Sequence, residues 1–329
     1  MDLPLAKKTI AVVRQLGGIG DVIAMSCVYR GLKEKYPDYK IQLLCGRVYL
    51  GGALLDVAEH NPFIDEIHVV EPYDATTEET RKVWAKYFAN CPRLEDELIW
   101  QKAEIRIDLN CACVEYEWRA MLEPSGIVKP RYQIWCDRAG VVPSTYAPVY
   151  RIRKDEQSHA DTFLREKGLE GPKLVGVGVS SCDSKRAMGI GRLHTVCEML
   201  RESGCTPVTI DPTFKFDDGT PYIIGKRVSE LMPIMARMAA VVTVDSGLLH
   251  MAGTVGTPVI GLFGPTDYKM RMGMYRGSAL DSRRLMPCAP CWYQYHCLKS
   301  GSLNDQFKCM NKIKPEIIVE ETLRWIDNS

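Results

Sequence analysis

The chain has 329 residues, of which 46% are hydrophobic and 25% are charged, and its formal net charge is +1. This length predicts two domains, and the composition is that of an ordinary globular protein. The near-neutral charge gives no electrostatic case for binding nucleic acid or an acidic membrane surface. The start of the chain lacks the apolar core of a signal peptide, and no run reaches the roughly 20 apolar residues of a membrane helix. Together with thirteen cysteines, these features predict a cytoplasmic protein with reduced thiols.

The first half of the chain alternates between predicted strands and helices. A buried strand at Thr9–Arg14 leads into a glycine-rich turn, and apolar residues at helical spacing predict a helix over 22–36. Further strands are predicted at 41–45, 64–70 and 104–109, and further helices at 51–59, 76–88 and 131–139. Such alternation is typical of a parallel sheet flanked by helices, which we assign to a first domain over residues 1–150.

The glycine-rich turn, residues 16–21, follows the first strand at its carboxyl end, where ligands bind in open α/β sheets. We therefore place Gly18 and Gly20 among the donor-binding residues. The turn is a poor dinucleotide fingerprint, because Ile23 replaces the third glycine and no acidic residue ends the second strand. Asp21 is either a first-turn carboxylate that favours the helix dipole or a general base that faces an interdomain cleft.

The second half of the chain repeats the alternation after a proline-containing boundary at 142–148. We assign residues 151–314 to a second domain and residues 315–329 to an amphipathic C-terminal helix. The predicted strands are 149–153, 174–179, 206–210, 241–244 and 259–263, and the predicted helices are 155–167, 192–203, 229–238 and 248–255.

Two loops of the second domain predict a phosphate site. Asp245 to Gly247 separate a buried strand from a short helix, whose first turn presents unpaired N–H groups and the positive end of the dipole. We interpret this turn as the cradle for the diphosphate of a nucleotide donor; the alternative is an ordinary βαβ unit with Asp245 as helix cap. Ser180, Ser181 and Lys185 follow another strand and supply hydroxyls and a compact cation suited to phosphate. The alternative for Lys185 is a solvated surface lysine.

Four cysteines near the C-terminus predict a metal site. Cys288 and Cys291 form a C-x-x-C pair, and Cys297 and Cys309 follow. Four thiolates make a closed tetrahedral site, so the cluster predicts structural zinc or iron rather than a catalytic ion. His296 is an alternative ligand, and four free thiols in a loop are the alternative to a metal site.

With these motifs in place, the chain resembles glycosyltransferase family nine, the ADP-heptose transferases of lipopolysaccharide assembly. The resemblance is carried by the turn that ends at Asp21, by residues 61–67, by the loop at 180–185 and by the block at 245–267. Some relatives that modify autotransporters carry a metal-bound cysteine finger of this kind. Residues 72–150 match weakly, and residues 186–191 depart from the family's usual tryptophan-proline pair.

The resemblance implies the α/β GT-B fold, with two Rossmann-like domains and a cleft between them. The first domain would bind the acceptor, the second the nucleotide-sugar donor, and the C-terminal helix would cross back to the first. The chemistry would be inverting and metal-independent, with Asp21 as base and with heptose, carried by ADP, as the first choice of sugar. Lys185, Ser180 and Ser181 would contact phosphate. The other implied donor-binding residues are Ser246, Gly247 and Leu248 through backbone N–H groups, Asp245 near the sugar, Asp211 by its position near the ribose, and His250.

Two other classes of function stay open at this stage. One is a nicotinamide-dependent oxidoreductase that uses the loop from Gly17 to Gly20, and the other is a non-enzymatic binding protein built around the metal finger. The acceptor of a transferase is equally open between a lipid-linked saccharide, a protein side chain, a small molecule and a modified base. An oligomer is compatible with the sequence.

Overall fold

The computed structural model describes residues 8–14, 18–46, 53–70, 97–123, 125–178, 180–181, 184–210, 218–282, 285–286, 288–292 and 308–328. The chain divides into two compact units, Met1–Arg151 and Ile152–Ser329. The sequence placed this boundary after residue 150. No helix in the described ranges has the length and apolar character needed to span a bilayer.

The first unit contains a parallel sheet with the strand order β3-β2-β1-β4. Its central strand β1 is a β-branched and alanine run whose residues from Ile10 onward are buried. The described elements are β1 (Thr9–Arg14), α1 (Ile19–Met25), α2 (Cys27–Lys35), β2 (Lys40–Gly46), α3 (Ala53–Glu59), β3 (Glu66–Val70), α4 (Leu98–Lys102), β4 (Ile105–Asp108), α5 (Ala112–Ala120) and α6 (Arg131–Ala139).

The helix expected over residues 22–36 is divided in two, so the prediction of one continuous helix was wrong. Ser26 lies between α1 and α2 and is buried. Its hydroxyl accepts a hydrogen bond from the backbone N–H of Val149 at 2.7 Å, and its carbonyl accepts one from the Asn61 amide at 3.3 Å. Both partners lie far away in the chain, and for this reason the local spacing of apolar residues does not reveal the break.

The second unit contains a parallel sheet with the strand order β6-β5-β7-β8-β9. Strands β5, β7 and β8 are buried along their whole length. The described elements are α7 (Lys154–Glu166), β5 (Leu174–Gly178), a 3₁₀ turn (Ser184–Arg186), α8 (Ile190–Glu202), β6 (Thr206–Thr209), α9 (Val228–Met235), β7 (Ala240–Val244), α10 (Gly247–Thr254), β8 (Val259–Phe263), α11 (Lys269–Met272), β9 (Gly277–Asp281), α12 (Lys308–Asn311) and α13 (Pro315–Asp327).

Two strand predictions differ from the structure. Residues 149–153 are not a strand, because the N–H of Val149 is bonded to Ser26 and the N–H of Arg151 to the carbonyl of His60, rather than to a sheet. Strand β9 was not expected, because its sequence contains no β-branched residue. It forms by pairing with β8 in parallel register. The helix predicted at 76–88 lies outside the described residues.

The C-terminal helix α13 packs on the second unit. Ile318 and Val319 are buried in the same hydrophobic cluster as residues of β5, α8, β7 and β8. Pro315 stands at its first turn, where a missing N–H costs nothing. The expectation that this helix also reaches the first domain stays a prediction.

Candidate functional site

Three loops of the second unit meet at the carboxyl ends of neighbouring strands β5, β7 and β8. The hydroxyl of Ser181, after β5, donates a hydrogen bond to the carbonyl of Asp245, after β7, at 3.2 Å. The hydroxyl of Thr266, after β8, donates to Asp245 Oδ2 at 2.7 Å. The structure thus brings together two motifs that lie about sixty residues apart in the sequence, the loop at 180–185 and the turn at 245–247.

Helix α10 begins at Gly247 with Ser246 as its N-cap, and no side chain caps its first turn. The Ser246 hydroxyl lies 3.2 Å from the hydroxyl of Thr243. The alternative in which Asp245 is the plain N-cap is wrong, because its carboxylate is bonded elsewhere. The first-turn N–H groups of α10 are therefore not occupied by a capping side chain and keep their capacity to bind an anion.

The carboxylate of Asp245 holds two arginines. It is almost fully buried, and its Oδ2 lies 3.2 Å from Arg186 Nη1 and 3.8 Å from Arg271 Nε. Burial alone would raise the pKa of this carboxyl, but the two guanidinium groups and the hydrogen bond from Thr266 outweigh it and lower the pKa to about 2. Asp245 is therefore ionised at neutral pH and fixes both guanidinium groups beside the start of α10.

Lys185 and Arg271 both contact Trp292. The Lys185 ammonium donates to the carbonyl of Trp292 at 3.3 Å, and the Arg271 guanidinium lies 5.1 Å from the centre of the Trp292 ring. Lys185 is partly buried, in contrast to the solvated lysine of the alternative interpretation. Arg186 and Arg271 thus lie at one carboxylate, and Lys185 lies at the tryptophan on which Arg271 packs. The excess of positive charge favours an anionic ligand.

His250 and Leu248 anchor α10 to its surroundings. His250 is buried, and its Nδ1 lies 2.8 Å from the hydroxyl of Tyr275. Leu248 packs so closely on the end of β5 that a Cβ atom on Gly178 would lie 2.3 Å from Leu248 Cδ1 and 2.8 Å from the carbonyl of Ile210. Gly178 therefore permits the close approach of α10 to the loop after β5.

We expect Gly178→Ala to destabilise the fold by about 1–3 kcal/mol, because the added methyl group meets a backbone carbonyl that cannot move freely. Denaturant unfolding measures the effect. Gly171→Ala is the matched control, since a Cβ there meets no atom within 4 Å. Equal stability of the two variants would contradict the tight contact between β5 and α10.

In the first unit, the Gly18–Asp21 turn holds a carboxylate between two donors. Gly18 is the N-cap of α1, and its N–H lies 3.3 Å from Asp21 Oδ2. Asp21 Oδ1 accepts a hydrogen bond from Arg131 Nη1 at 2.5 Å. Asp21 therefore supports the start of α1, as the first interpretation holds, and its side chain keeps 23% exposure, as a base requires. No motif in the sequence pointed to Arg131, which is the first residue of α6.

The remaining predicted residues divide into three cases. Ser180 and Gly247 lie at the meeting point of the loops in the second unit, beside residues already described. Gly18 and Gly20 lie in the first unit at the start of α1, and their role in donor binding stays a prediction. Asp211 lies outside the described residues.

Three of the four predicted metal ligands fall in the described ranges, and Cys297 does not. A Cβ atom on Gly264 would lie 2.8 Å from Cys309 Sγ, and the N–H of Trp292, next to Cys291, donates to the carbonyl of Pro265 at 2.8 Å. Both cysteine segments are thus anchored on the turn after β8. Among the residues that the structure describes, no three His, Cys, Asp or Glu side chains are grouped to hold a metal.

The two α/β units define the GT-B class of fold, and solved glycosyltransferases share it. The glycosyl transferase family 9 structure from Veillonella parvula superposes with a TM-score of 0.69, at 17% identity, over 99% of both chains. The dodecameric iron-containing heptosyltransferase TibC of enterotoxigenic Escherichia coli, in complex with ADP-D-β-D-heptose, superposes with a TM-score of 0.63. That match has 14% identity and covers 98% of this chain and 76% of TibC.

Sequence comparison finds a similarity to one family over part of the chain. Residues 223–299 match the model of glycosyltransferase family 9 (heptosyltransferase). Lipooligosaccharide heptosyltransferase 2 of Campylobacter jejuni is 27% identical over 88 residues, which are 27% of this chain and 26% of that protein. The chain thus matches about a quarter of the length of this curated relative. The matched segment 223–299 contains Asp245, α10, Arg271 and Trp292, and the oxidoreductase alternative gains no support.

Proposed function

We propose that this chain is an inverting, metal-independent glycosyltransferase that transfers heptose from ADP-heptose to a hydroxyl acceptor. The observation that carries the proposal is the group of cations around Asp245 at the start of α10, within the segment that matches glycosyltransferase family 9. The similar proteins include a lipooligosaccharide heptosyltransferase and a heptosyltransferase bound to ADP-D-β-D-heptose, and this likeness supports the choice of donor.

The second unit supplies the leaving-group chemistry. Lys185, Arg186 and Arg271, together with the first-turn N–H groups of α10, neutralise the negative charge that grows on the diphosphate as its bond to the sugar breaks. These groups are fixed before the donor arrives, since Asp245 and the carbonyl of Trp292 hold them. Such preorganised charges stabilise a transition state more effectively than reorienting water does.

The first unit supplies the base. Asp21 takes the proton from the acceptor hydroxyl as that oxygen forms a bond to the anomeric carbon and the diphosphate departs from the opposite face. The sugar is transferred with inversion, ADP is released, and the proton remains on the carboxyl group until solvent removes it. General-base catalysis of this kind contributes about 10²–10⁴ to the rate.

The cysteine segments suit a structural metal ion. Thiolates are the ligands that zinc and iron share, and Cys288, Cys291 and Cys309 belong to segments anchored on one turn, with Cys297 as the proposed fourth ligand. The iron-containing TibC supports iron as one of the two candidates. When bound, the ion would cross-link these segments; it takes no part in the transfer.

We expect the purified protein to carry about one zinc or iron per chain and Cys288→Ser to lose it, because a tetrahedral thiolate site with three ligands binds more weakly. Elemental analysis is the measurement. Cys205→Ser, at a buried cysteine outside the cluster, is the matched control and keeps the metal. A metal-free wild-type protein would contradict the proposal.

The function is tested by thermal-shift measurements with ADP, UDP, GDP and NAD, followed by transfer assays with the matching sugar nucleotides. Stabilisation by ADP and release of ADP from ADP-heptose in the presence of an acceptor are the expected results. Stabilisation by NAD alone would favour the oxidoreductase, and stabilisation by none of them would favour a binding protein. Lys185→Ala is expected to weaken ADP binding, since it removes one cation from the phosphate site.

The acceptor, the oligomeric state and the cellular location are also proposed. A lipid-linked saccharide, a protein and a modified base each offer the hydroxyl or other nucleophilic group that the chemistry needs, and a screen of the three classes against ADP release distinguishes them. TibC is described as dodecameric, and an oligomer is proposed here on that likeness. The proposed location is the cytoplasm, where nucleotide donors are available.

A further inference from the structure

The first residue of α6 is an arginine in an unfavourable local position. Arg131 is directly preceded by the N-cap Pro130, so its charge stands at the positive end of the helix dipole. Cations are favoured at the opposite end of a helix. Its side chain is only 18% exposed, so solvent does not compensate for the position. The reason for an arginine here must lie in its tertiary contacts.

Those contacts begin with Glu117 on α5. The Glu117 side chain is fully buried, and both of its oxygens accept hydrogen bonds from Arg131, one from Nε and one from Nη2, each at 2.8 Å. A buried carboxylate requires such a partner, and two parallel bonds fix the plane of the guanidinium group. Glu117 therefore determines where the remaining nitrogen of Arg131 points.

That remaining nitrogen, Nη1, reaches Asp21 Oδ1 at 2.5 Å. The other oxygen of Asp21, Oδ2, lies at the longer distance of 3.3 Å from the N–H of Gly18. The backbone carbonyl of Arg131 also lies 3.7 Å from the Cys113 thiol, whose pKa burial raises well above its ordinary value. Arg131 therefore bridges the carboxylates of Asp21 and Glu117.

We infer that Arg131, oriented by Glu117, is the positioning residue of the base and holds the Asp21 carboxylate in the orientation in which it takes the proton of the acceptor hydroxyl. The inference rests on the proposed transfer reaction. Arg131 acts through Asp21 and does not itself contact the sugar. Two hydrogen bonds to Glu117 fix the guanidinium group, which in turn holds the Asp21 carboxylate in one orientation for the reaction.

The first experiment compares Arg131→Ala with Arg138→Ala. Both arginines lie on α6 and bond to a glutamate on α5, Arg138 to Glu115 at 2.6 Å, but of the two only Arg131 contacts Asp21 in the described structure. We expect Arg131→Ala to lower kcat about 100-fold with unchanged affinity for ADP, and Arg138→Ala to stay within about twofold of the wild type. Equal losses in both variants would overturn the inference.

A double-mutant cycle tests whether Arg131 acts through Asp21. Asp21→Ala combined with Arg131→Ala is expected to be no slower than Asp21→Ala alone, because the positioning residue has nothing left to position. Independent, multiplicative losses would assign Arg131 to substrate binding instead. Added guanidinium ion is expected to restore part of the activity of Arg131→Ala and none of that of the double variant, a difference that a purely structural role would not produce.

Arg131→Ala removes both hydrogen bonds that Arg131 donates to the buried Glu117 carboxylate, and the variant can fail to fold for that reason. Glu117→Gln combined with Arg131→Ala removes the uncompensated charge and is then the variant compared with Arg138→Ala. A wild-type protein that releases no ADP from any sugar nucleotide counts against the proposed function. Normal transfer by the wild type and by the folded Arg131 variants counts against the inference alone.

Discussion

Asp21→Ala is expected to lower the rate of sugar transfer by about 10²–10⁴ while nucleotide binding stays within about twofold. The physical reason is that the acceptor hydroxyl loses its proton acceptor, whereas the proposed phosphate-binding cations all belong to the second unit. Isothermal titration with ADP and steady-state release of ADP measure the two quantities separately. Lost ADP affinity with normal turnover would remove Asp21 from the catalytic role.

The controls for this prediction distinguish the role of Asp21 as a base from its role in stabilising the start of α1. Asp21 also bonds to the N–H of Gly18, so its loss weakens α1 by about 1 kcal/mol. Asp21→Asn keeps an oxygen for that bond but has no basicity, and it is expected to be as inactive as the alanine variant. Asp56→Asn, at the first-turn aspartate of α3, is the matched control and keeps full activity. An active Asp21→Asn variant would show that activity depends on the hydrogen bond to Gly18 and not on the basicity of Asp21.

Asp245→Ala is expected to destabilise the protein by about 3–5 kcal/mol, since it leaves two arginines near each other without their shared carboxylate. Arg271 and Asp245 are both almost fully buried, so water cannot replace the lost partner. Unfolding in urea at pH 7 is the measurement. The variant is also expected to bind ADP more weakly, because Arg186 and Arg271 are no longer held at the start of α10.

Asp218 provides the matched comparison. Hydrogen bonds from the side chain and backbone of Thr220, together with Arg201, lower the pKa of Asp218 to about 2, the same value as for Asp245. Asp218, however, is partly exposed, and its ion pair with Arg201 is screened by solvent. Asp218→Ala is therefore expected to lower the free energy of unfolding much less than Asp245→Ala does. Equal losses would contradict the importance of burial at Asp245.

The pH dependence of stability follows from the same carboxyl group. The pKa of Asp245 is about 2 in the folded state, below its ordinary value of 3.8. A carboxyl group whose pKa is lower in the folded state than in the unfolded state stabilises the protein at pH values above its unfolded-state pKa. This stabilisation, here on the order of 2 kcal/mol, is lost as the pH falls towards 2. Wild-type stability should thus fall between pH 5 and about 2 more steeply than that of Asp245→Ala. Parallel curves would contradict this contribution.

Most strands of the two parallel sheets were predictable because they depend on the local pattern of apolar and β-branched residues. The buried runs at β1, β7 and β8 consist largely of β-branched residues and alternate with helical spacing, so both the strands and their parallel arrangement follow. Strand β9 and the break at Ser26 were not predictable. Strand β9 depends on pairing with β8, and Ser26 bonds to Val149 and Asn61, which lie far away in the chain.

The candidate site divides in the same way. Lys185, Asp245 and the start of α10 are recognisable from residue type and from their places after strands. The contacts of these groups are not recognisable from the sequence. No local motif marks Arg186 and Arg271 as partners of Asp245, or Trp292 as a partner of Lys185. Residues 186–191 even read as a departure from the expected motif, although Arg186 in that stretch pairs with the buried carboxylate.

The sequence by itself determined the class of fold and the positions of the candidate phosphate-binding turn and the candidate base, because strand and turn chemistry is local. Only the tertiary structure decided what holds these groups. Asp245 is fixed by two arginines and Thr266, and Asp21 by Arg131, itself oriented by Glu117 on another helix. Burial makes such ion pairs mutually dependent, and the partners of a buried charge are set by packing across the chain rather than by its neighbours in sequence.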